Sequence, residues 1–225
     1  MPESNLYKKA AVISGSCYIL ISIYLMIESG VYDLFTANRA LADSAYILIG
    51  LSFAYSGLSY FFKLSPAAFI LRKQLGIIGF VFALIHSVFS GLMYIFIPID
   101  PIFAFDHVWN FLGRETPNVL AFLPGIASLA ILVFMTAISG NAGMKWLGNR
   151  WRPALRVGYL AIFLTVFHFS IKSYSGWRLY LLSPLKLPPI TLLLAVFGLA
   201  VILLRVALQI AISLKKNKKV DQKDP

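Results

Sequence analysis

The fold is decided by the run LGIIGFVFALIHSVFSGLMYIFI, residues 75–97, which carries no lysine, arginine, aspartate or glutamate. A helix of this length rises about 35 Å, enough to cross the roughly 30 Å hydrocarbon core of a bilayer. Its apolar residues form one long block and do not alternate with polar ones, as they would in a half-buried strand. The run is therefore predicted to be a transmembrane helix.

Five further apolar blocks reach or approach this length, which predicts an all-α polytopic membrane protein, a bundle of six transmembrane helices. Hydrophobic residues make up 59% of the chain and charged residues only 13%, against about 25% in an ordinary soluble domain. This composition excludes a soluble enzyme, a secreted disulfide-rich domain and a fused nucleotide-binding domain. The predicted spans are residues 10–27, 44–62, 75–97, 119–138, 157–174 and 190–214.

The remaining polar residues are expected to form short links and a tail. Residues 1–214 are predicted to form the six-helix domain, and the lysine-rich residues 215–225 a disordered tail. In the longest link, Pro101 and Pro117 bracket a stretch that can form a short interfacial helix. No small-residue cleavage site follows a short apolar stretch at the N-terminus, so no removable signal peptide is expected.

Positive charge is shared unequally between the two sides of the predicted bundle. Alternate polar segments, beginning with the N-terminus and ending with the tail, carry 14 of the 20 lysines and arginines, whereas the links on the other side carry five. By the positive-inside rule, both termini are predicted to be cytoplasmic. The net charge of +11 is thus explained by membrane orientation, and no nucleic-acid partner is expected.

Two histidines lie inside the predicted spans, where an ionisable side chain is costly and needs an explanation. His86 is near the middle of the third span and His168 near the middle of the fifth. Both helices start on the same predicted side, and each histidine lies about 16 Å along its helix. A single plate-like ligand that bridges two helices needs two imidazoles at matched depth. These two parallel helices are predicted to supply them.

Small residues share the helical face of His86. Gly79, Ala83 and Ser90 lie at −7, −3 and +4 from it, and such a face permits either close packing of another helix or room for a flat macrocycle. One interpretation is a b-type haem whose iron is ligated by His86 and His168, with Gly79 and Ala83 lining the cofactor site. The other is that the histidines hydrogen-bond inside the bundle while the small face packs a helix. The residues alone leave both open.

Two stretches resemble the ferric-reductase-like transmembrane family: RKQLGIIGFVFALIH, residues 72–86, and LGNRWRPALRVGYLAIFLTVFHF, residues 147–169. The most similar branch is the haem-binding membrane subunit of the bacterial periplasmic methionine sulfoxide reductase system. GRETPNVLAF, residues 113–122, lies where that branch has a comparable short motif. The resemblance implies a bacterial cytoplasmic (plasma) membrane location, an electron-transfer role, and an outer haem held by His86 and His168.

The chain departs from the two-haem pattern of this family. Two-haem relatives carry further histidines about four turns earlier on these helices, where this sequence has Arg72 and Leu155. The resemblance therefore implies one haem b. Because Arg72 and Leu155 lie about 20 Å nearer the predicted cytoplasmic side, a cytosolic donor would have no relay to the outer haem. A membrane quinol, or a donor on the outer side, is expected instead.

The predicted function is a membrane cytochrome b-type electron-transfer subunit that passes electrons from quinol through one haem to an extracytoplasmic redox partner protein. Two alternatives stay open: a haem-free small membrane transporter or assembly factor, and an enzyme that itself reduces ferric ions or quinone. Lys172 and Arg178 either pair with haem propionates or snorkel to the interface. His107 is either a solvated loop residue or a docking residue for a partner.

Overall fold

The protein consists of helices joined by short irregular links. The computed structural model describes residues 3–64, 67–96, 118–184 and 187–221, and no β-strand is present in these ranges. The all-α prediction is confirmed for this part of the chain. The helices are α1 (Glu3–Ser29), α2 (Leu34–Phe62), α3 (Ala67–Phe96), α4 (Asn118–Ile138), α5 (Asn141–Leu147), α6 (Trp151–Leu155), α7 (Gly158–Leu182) and α8 (Ile190–Asp221), with a 3-10 turn, Gly148–Arg150, between α5 and α6.

Five helices are long and apolar enough to cross a bilayer: α1, α2, α3, α7 and α8. A sixth crossing is present if α4 and the helix after it count as one. Residues Phe122–Ile138 and Asn141–Arg150 pass the same test together but meet at a bend of 93°. The predicted count of six agrees with the upper number. The helices are those of a multi-pass membrane protein, while the cytoplasmic placement of both termini remains a prediction.

The second helix begins ten residues earlier than predicted. The Asp33 carboxylate caps its N-terminus, accepting hydrogen bonds from the Thr36 backbone N–H at 2.8 Å and the Thr36 hydroxyl at 2.7 Å. These hydrogen bonds lower the pKa of Asp33. Arg39 and Asp43, predicted to lie in the link, are therefore part of α2. Arg39 lies 3.5 Å from Glu28 and 3.8 Å from the buried Asp43, so the cation offsets both carboxylates.

The seventh helix extends eight residues beyond its predicted end. Lys172 and Arg178, which the sequence assigned to the outer edge of this span and the link after it, are both on α7. The helix ends at Leu182, because Ser183 precedes Pro184 and the residue before a proline disfavours the helical conformation. Lys172 and Arg178 thus shortened the apolar run on which the prediction was based, although the helix continues through both residues.

The last helix, α8, continues to Asp221. The backbone of residues 215–221 therefore continues the helix, while the disorder predicted for the tail as a whole stays a prediction. Lysine is a good helix former, and extending an existing helix avoids the cost of starting one. The interfacial helix predicted between Pro101 and Pro117, and His107 within it, lie outside the described residues.

The second helix, α2, is central to the bundle and contacts α1, α3, α7 and α8. Glycines let these helices approach: the Phe197 ring of α8 fills the space beside Gly50, and the Tyr46 ring of α2 fills the space beside Gly198. Tyr46 also packs edge-on against Phe169 of α7, with 5.5 Å between ring centroids. Both histidine-bearing helices, α3 and α7, are therefore positioned against the same central helix.

The bend after α4 is built by residues that the sequence assigned to a polar link. The Ser139 hydroxyl donates to the Thr136 carbonyl, and the Trp151 indole N–H donates to the Ile138 carbonyl, each at 2.8 Å. These bonds satisfy carbonyls that a helix end leaves unpaired. Gly143 lies so close to the Ile138 backbone that any Cβ there would overlap it. The link therefore folds into α5 and α6 beside the end of α4.

Candidate functional site

His86 of α3 is hydrogen-bonded to the beginning of α2. Its Nδ1 lies 3.1 Å from the backbone carbonyl oxygen of Asn38 and 3.2 Å from the Asn38 side-chain oxygen. A backbone carbonyl can only accept, so His86 Nδ1 is the donor. In the neutral imidazole, Nε2 then carries the lone pair. The contacts therefore place the proton of the neutral ring on Nδ1, and Nε2 is able to ligate a metal.

Asn38 organises this contact and was missed by the sequence analysis. Its side chain is buried, and its amide nitrogen donates to Ser90 Oγ at 3.0 Å, one turn beyond His86 on α3. The sequence assigned residue 38 to a polar link, since α2 was predicted to begin at residue 44. The signal that could have found it is the pair Asp33 and Thr36, whose spacing is typical of a helix N-terminus.

His168 of α7 packs directly against α4. A Cβ added at Gly125 would lie 3.0 Å from His168 Nδ1, so the imidazole rests on the helix backbone at this glycine. The Phe122 ring, nearly one turn earlier on α4, has its centroid 6.4 Å from that of the imidazole. Gly125 was also missed, because the periodicity of one helix does not reveal which residue of another helix it faces.

Lys172 lies near His168, over an aromatic ring of α4. It is one turn beyond His168 on α7, and its ammonium lies 4.3 Å from the centre of the Phe122 ring. Helix α4 contacts both α3 and α7, the two helices that carry the histidines. Arg178 lies further along α7 and is exposed.

The small-residue face of α3 is turned toward α2. A Cβ at Gly79 would lie 2.8 Å from Ile49 Cγ1 and 3.1 Å from the Ala45 carbonyl oxygen. Ala83 packs against the central hydrophobic core. The space expected for a macrocycle beside Gly79 is therefore occupied by α2, and this glycine serves the close approach of two helices.

No group of three or more histidine, cysteine, aspartate or glutamate side chains in the described ranges is arranged to hold a metal ion. A haem iron takes four nitrogens from the porphyrin, so two imidazoles complete its coordination. The candidate ligands are thus His86, oriented by Asn38, and His168, positioned by Gly125.

Comparison with known proteins assigns the chain to no family. No protein-family model matches it, and a search of curated proteins finds no similar sequence. The resemblance to the ferric-reductase-like family therefore remains a prediction that depends on the stretches quoted above.

Proposed function

We propose that the protein is a membrane electron-transfer subunit that carries one b-type haem between His86 and His168. The observation that supports this most is the hydrogen bonding of His86. A metal-ligating histidine normally donates its second ring N–H to a carbonyl or carboxylate, which orients the ring and makes the ligating nitrogen more basic. His86 has this arrangement, since its Nδ1 donates to the Asn38 carbonyl oxygen at 3.1 Å and Nε2 keeps its lone pair.

The glycines near the two histidines are both occupied by neighbouring side chains. Ile49 and its neighbours on α2 fill the space beside Gly79, and the His168 imidazole itself fills the space beside Gly125. Lys172, one turn beyond His168, is a cation suited to a haem propionate. The residues that would hold a haem are therefore the two histidines, with Lys172 beside His168.

When bound, haem supplies a one-electron carrier that cycles between ferrous and ferric iron. The protein supplies the ligands, their orientation and a dry environment. His86 and His168 would hold the iron through one ring nitrogen each. Asn38 fixes the tautomer of His86 by accepting the hydrogen bond from Nδ1–H, and the Lys172 ammonium would pair with a haem propionate.

We further propose that electrons enter from membrane quinol and leave to an extracytoplasmic redox partner protein. Arg72 and Leu155 stand where an inner histidine pair would be needed to receive electrons from the cytosol. A lipid-soluble donor can reach the bundle from the bilayer itself. Reduction of the haem by a short-chain quinol should be faster than reduction by a cytosolic flavin reductase. The opposite ranking would contradict the quinol proposal.

The deciding experiment is a dithionite-reduced minus oxidised absorption spectrum of the detergent-purified protein, with the haem-to-protein ratio measured. One low-spin b-type haem per chain is expected. Two haems would contradict the interpretation of Arg72 and Leu155. A colourless protein, purified from cells well supplied with haem, would overturn the cytochrome proposal.

A haem-free role, as a small transporter or an assembly factor, is the second candidate. The packing of Gly79 against Ile49 and Ala45 favours it, since this shows the small-residue face acting in helix packing. In that case His86 serves as a polar contact between α2 and α3. Replacing His86 by alanine would then lower the thermal stability of a protein that has no haem spectrum to lose.

A further inference from the structure

A cavity of about 290 Å³ lies between α2, α3, α4 and α6, toward the end of α3 opposite to His86. Arg72 and Lys73 of α3 line it together with the hydroxyl groups of Ser52, Thr136 and Ser139. Aliphatic and aromatic side chains of the surrounding helices form the rest of its wall. The cavity therefore combines two cations with an apolar interior.

Arg72 and Leu155 both line this cavity. They belong to α3 and α6, and they are the two positions at which the sequence departs from the two-haem pattern. Arg72 is half-buried and Lys73 is exposed, so the positive charge extends from the cavity to the surface of the bundle.

Among the described residues, no carboxylate lines the cavity beside Arg72 and Lys73. The ion pairs in this part of the chain join Arg39 to Glu28 and Asp43, at the beginning of α2. The α2 residues that line the cavity, Ile49, Ser52 and Phe53, come six to ten residues after Asp43. Among the described residues, the carboxylates that pair with Arg39 thus lie near the start of α2 and not at the cavity.

A second arginine, Arg205, lies within the apolar part of α8. Its guanidinium lies 5.6 Å from the centre of the Tyr159 ring of α7, which offers it a cation–π contact. Arg72 and Lys73, by contrast, line a cavity. A cation that lines a cavity between membrane helices suits an anionic ligand.

We propose that this cavity binds an anionic phospholipid, with Arg72 and Lys73 holding the phosphodiester and the apolar wall receiving the adjoining acyl chain. Guanidinium and ammonium groups form charge-assisted hydrogen bonds with phosphate oxygens, and basic pockets between membrane helices bind acidic headgroups in this way. The cavity lining does not include either histidine, so the lipid proposal can be tested separately from the haem proposal.

The test is a thermal-stability titration of the full-length protein in detergent with phosphatidylglycerol, and with phosphatidylcholine of the same acyl chains. Phosphatidylglycerol is expected to raise the Tm, and phosphatidylcholine is not. In Arg72→Gln the apparent affinity for phosphatidylglycerol should fall roughly tenfold. Lys145→Gln is the matched control, because Lys145 is an exposed cation of α5 outside the cavity lining, and it should bind as the wild type does.

A second variant separates the cavity from general surface charge. Leu155→Trp fills the cavity without changing any charge, and it should weaken phosphatidylglycerol binding as Arg72→Gln does. If Arg72→Gln fails to fold, Leu155→Trp and the charge-conserving Arg72→Lys still decide the question, since only the first should lose binding. Equal losses in Lys145→Gln, or unchanged binding in Leu155→Trp, would overturn the proposal. If inorganic phosphate alone raised the Tm equally, the site would bind a free anion, and the phospholipid proposal would be wrong.

Discussion

The two candidate haem ligands differ in the contacts that the structure describes for them. His86 is hydrogen-bonded, with Nδ1 3.1 Å from the Asn38 carbonyl oxygen and Asn38 in turn bonded to Ser90. His168 is closely packed, with its imidazole resting on the backbone of α4 at Gly125. A hydrogen bond specifies the tautomer and direction of a ring, whereas packing specifies only where the ring can lie. The two histidines should therefore respond to different substitutions.

The largest effect is expected when either imidazole is removed. His86→Ala and His168→Ala should each lose the low-spin b-type haem, because low-spin iron needs both axial nitrogens. Reduced-minus-oxidised spectra with haem-to-protein ratios measure this. His107→Ala, which changes a histidine outside the proposed pair, is the control and should keep the wild-type spectrum. Full haem content with an unchanged spectrum in either ligand variant would contradict the assignment.

The next largest effect tests the packing of His168. Gly125→Ala places a Cβ 3.0 Å from His168 Nδ1, and overpacking of this kind costs about 1–3 kcal/mol. Haem should be lost to apomyoglobin roughly tenfold or more faster than from the wild type. Gly176→Ala on α7 is the control, because open space surrounds Gly176 and the gain in helix propensity is the same. Identical rates in the two variants would show that Gly125 does not position the imidazole.

The third prediction separates the two interpretations of the small-residue face. Gly79→Ala would bring a Cβ to 2.8 Å from Ile49 Cγ1, so it should destabilise the haem-free protein by about 1–2 kcal/mol. The thermal unfolding midpoint of protein grown without haem measures this. Gly91→Ala, also on α3 but in open space, should leave the midpoint unchanged or slightly higher. If Gly79→Ala lost haem while the apoprotein kept its stability, Gly79 would instead be interpreted as lining the cofactor site.

The sequence predicted most of the fold because lipid imposes a simple requirement. A helix that crosses the bilayer must be apolar over about 20 residues, and runs such as 75–97 satisfy this without reference to any other part of the chain. The errors lie where polar residues enter helices. The start of α2 was placed too late because Arg39 and Asp43 were taken for a link, although their mutual contact makes both acceptable within a helix.

The site was predictable only in part, for a related reason. His86 and His168 are visible in the sequence because an ionisable residue in an apolar run stands out. Their partners are not visible, since one is a backbone carbonyl at Asn38 and the other is the missing side chain of Gly125. The packing of Gly79 against α2 likewise depends on which helices are neighbours, and a single sequence does not contain that information.

A smaller effect is expected at the hydrogen-bonded histidine. Asn38→Ala removes the side-chain acceptor 3.2 Å from His86 Nδ1 but keeps the backbone carbonyl. Haem affinity should fall roughly fivefold, less than the 10–100-fold typical when an outer partner is lost completely. Ser87→Ala is the control, because the Ser87 hydroxyl bonds the Ala83 carbonyl of its own helix. A loss as large as that in Gly125→Ala would mean that both histidines depend on their neighbours equally.

The smallest effect concerns the helix end that presents Asn38 to His86. The Asp33 carboxylate caps α2, and its hydrogen bonds to Thr36 lower its pKa. A lowered pKa means that the ionised cap adds stability above the ordinary pKa of about 3.9, and that this stability is lost as the pH falls through the folded-state value. Asp33→Asn keeps the cap but cannot ionise. Its Tm should therefore lie slightly below that of the wild type near neutral pH, and the two should converge in acid. A difference that is constant across the pH range would show that the charge of Asp33 contributes nothing, leaving the hydrogen-bond geometry alone to set the start of α2.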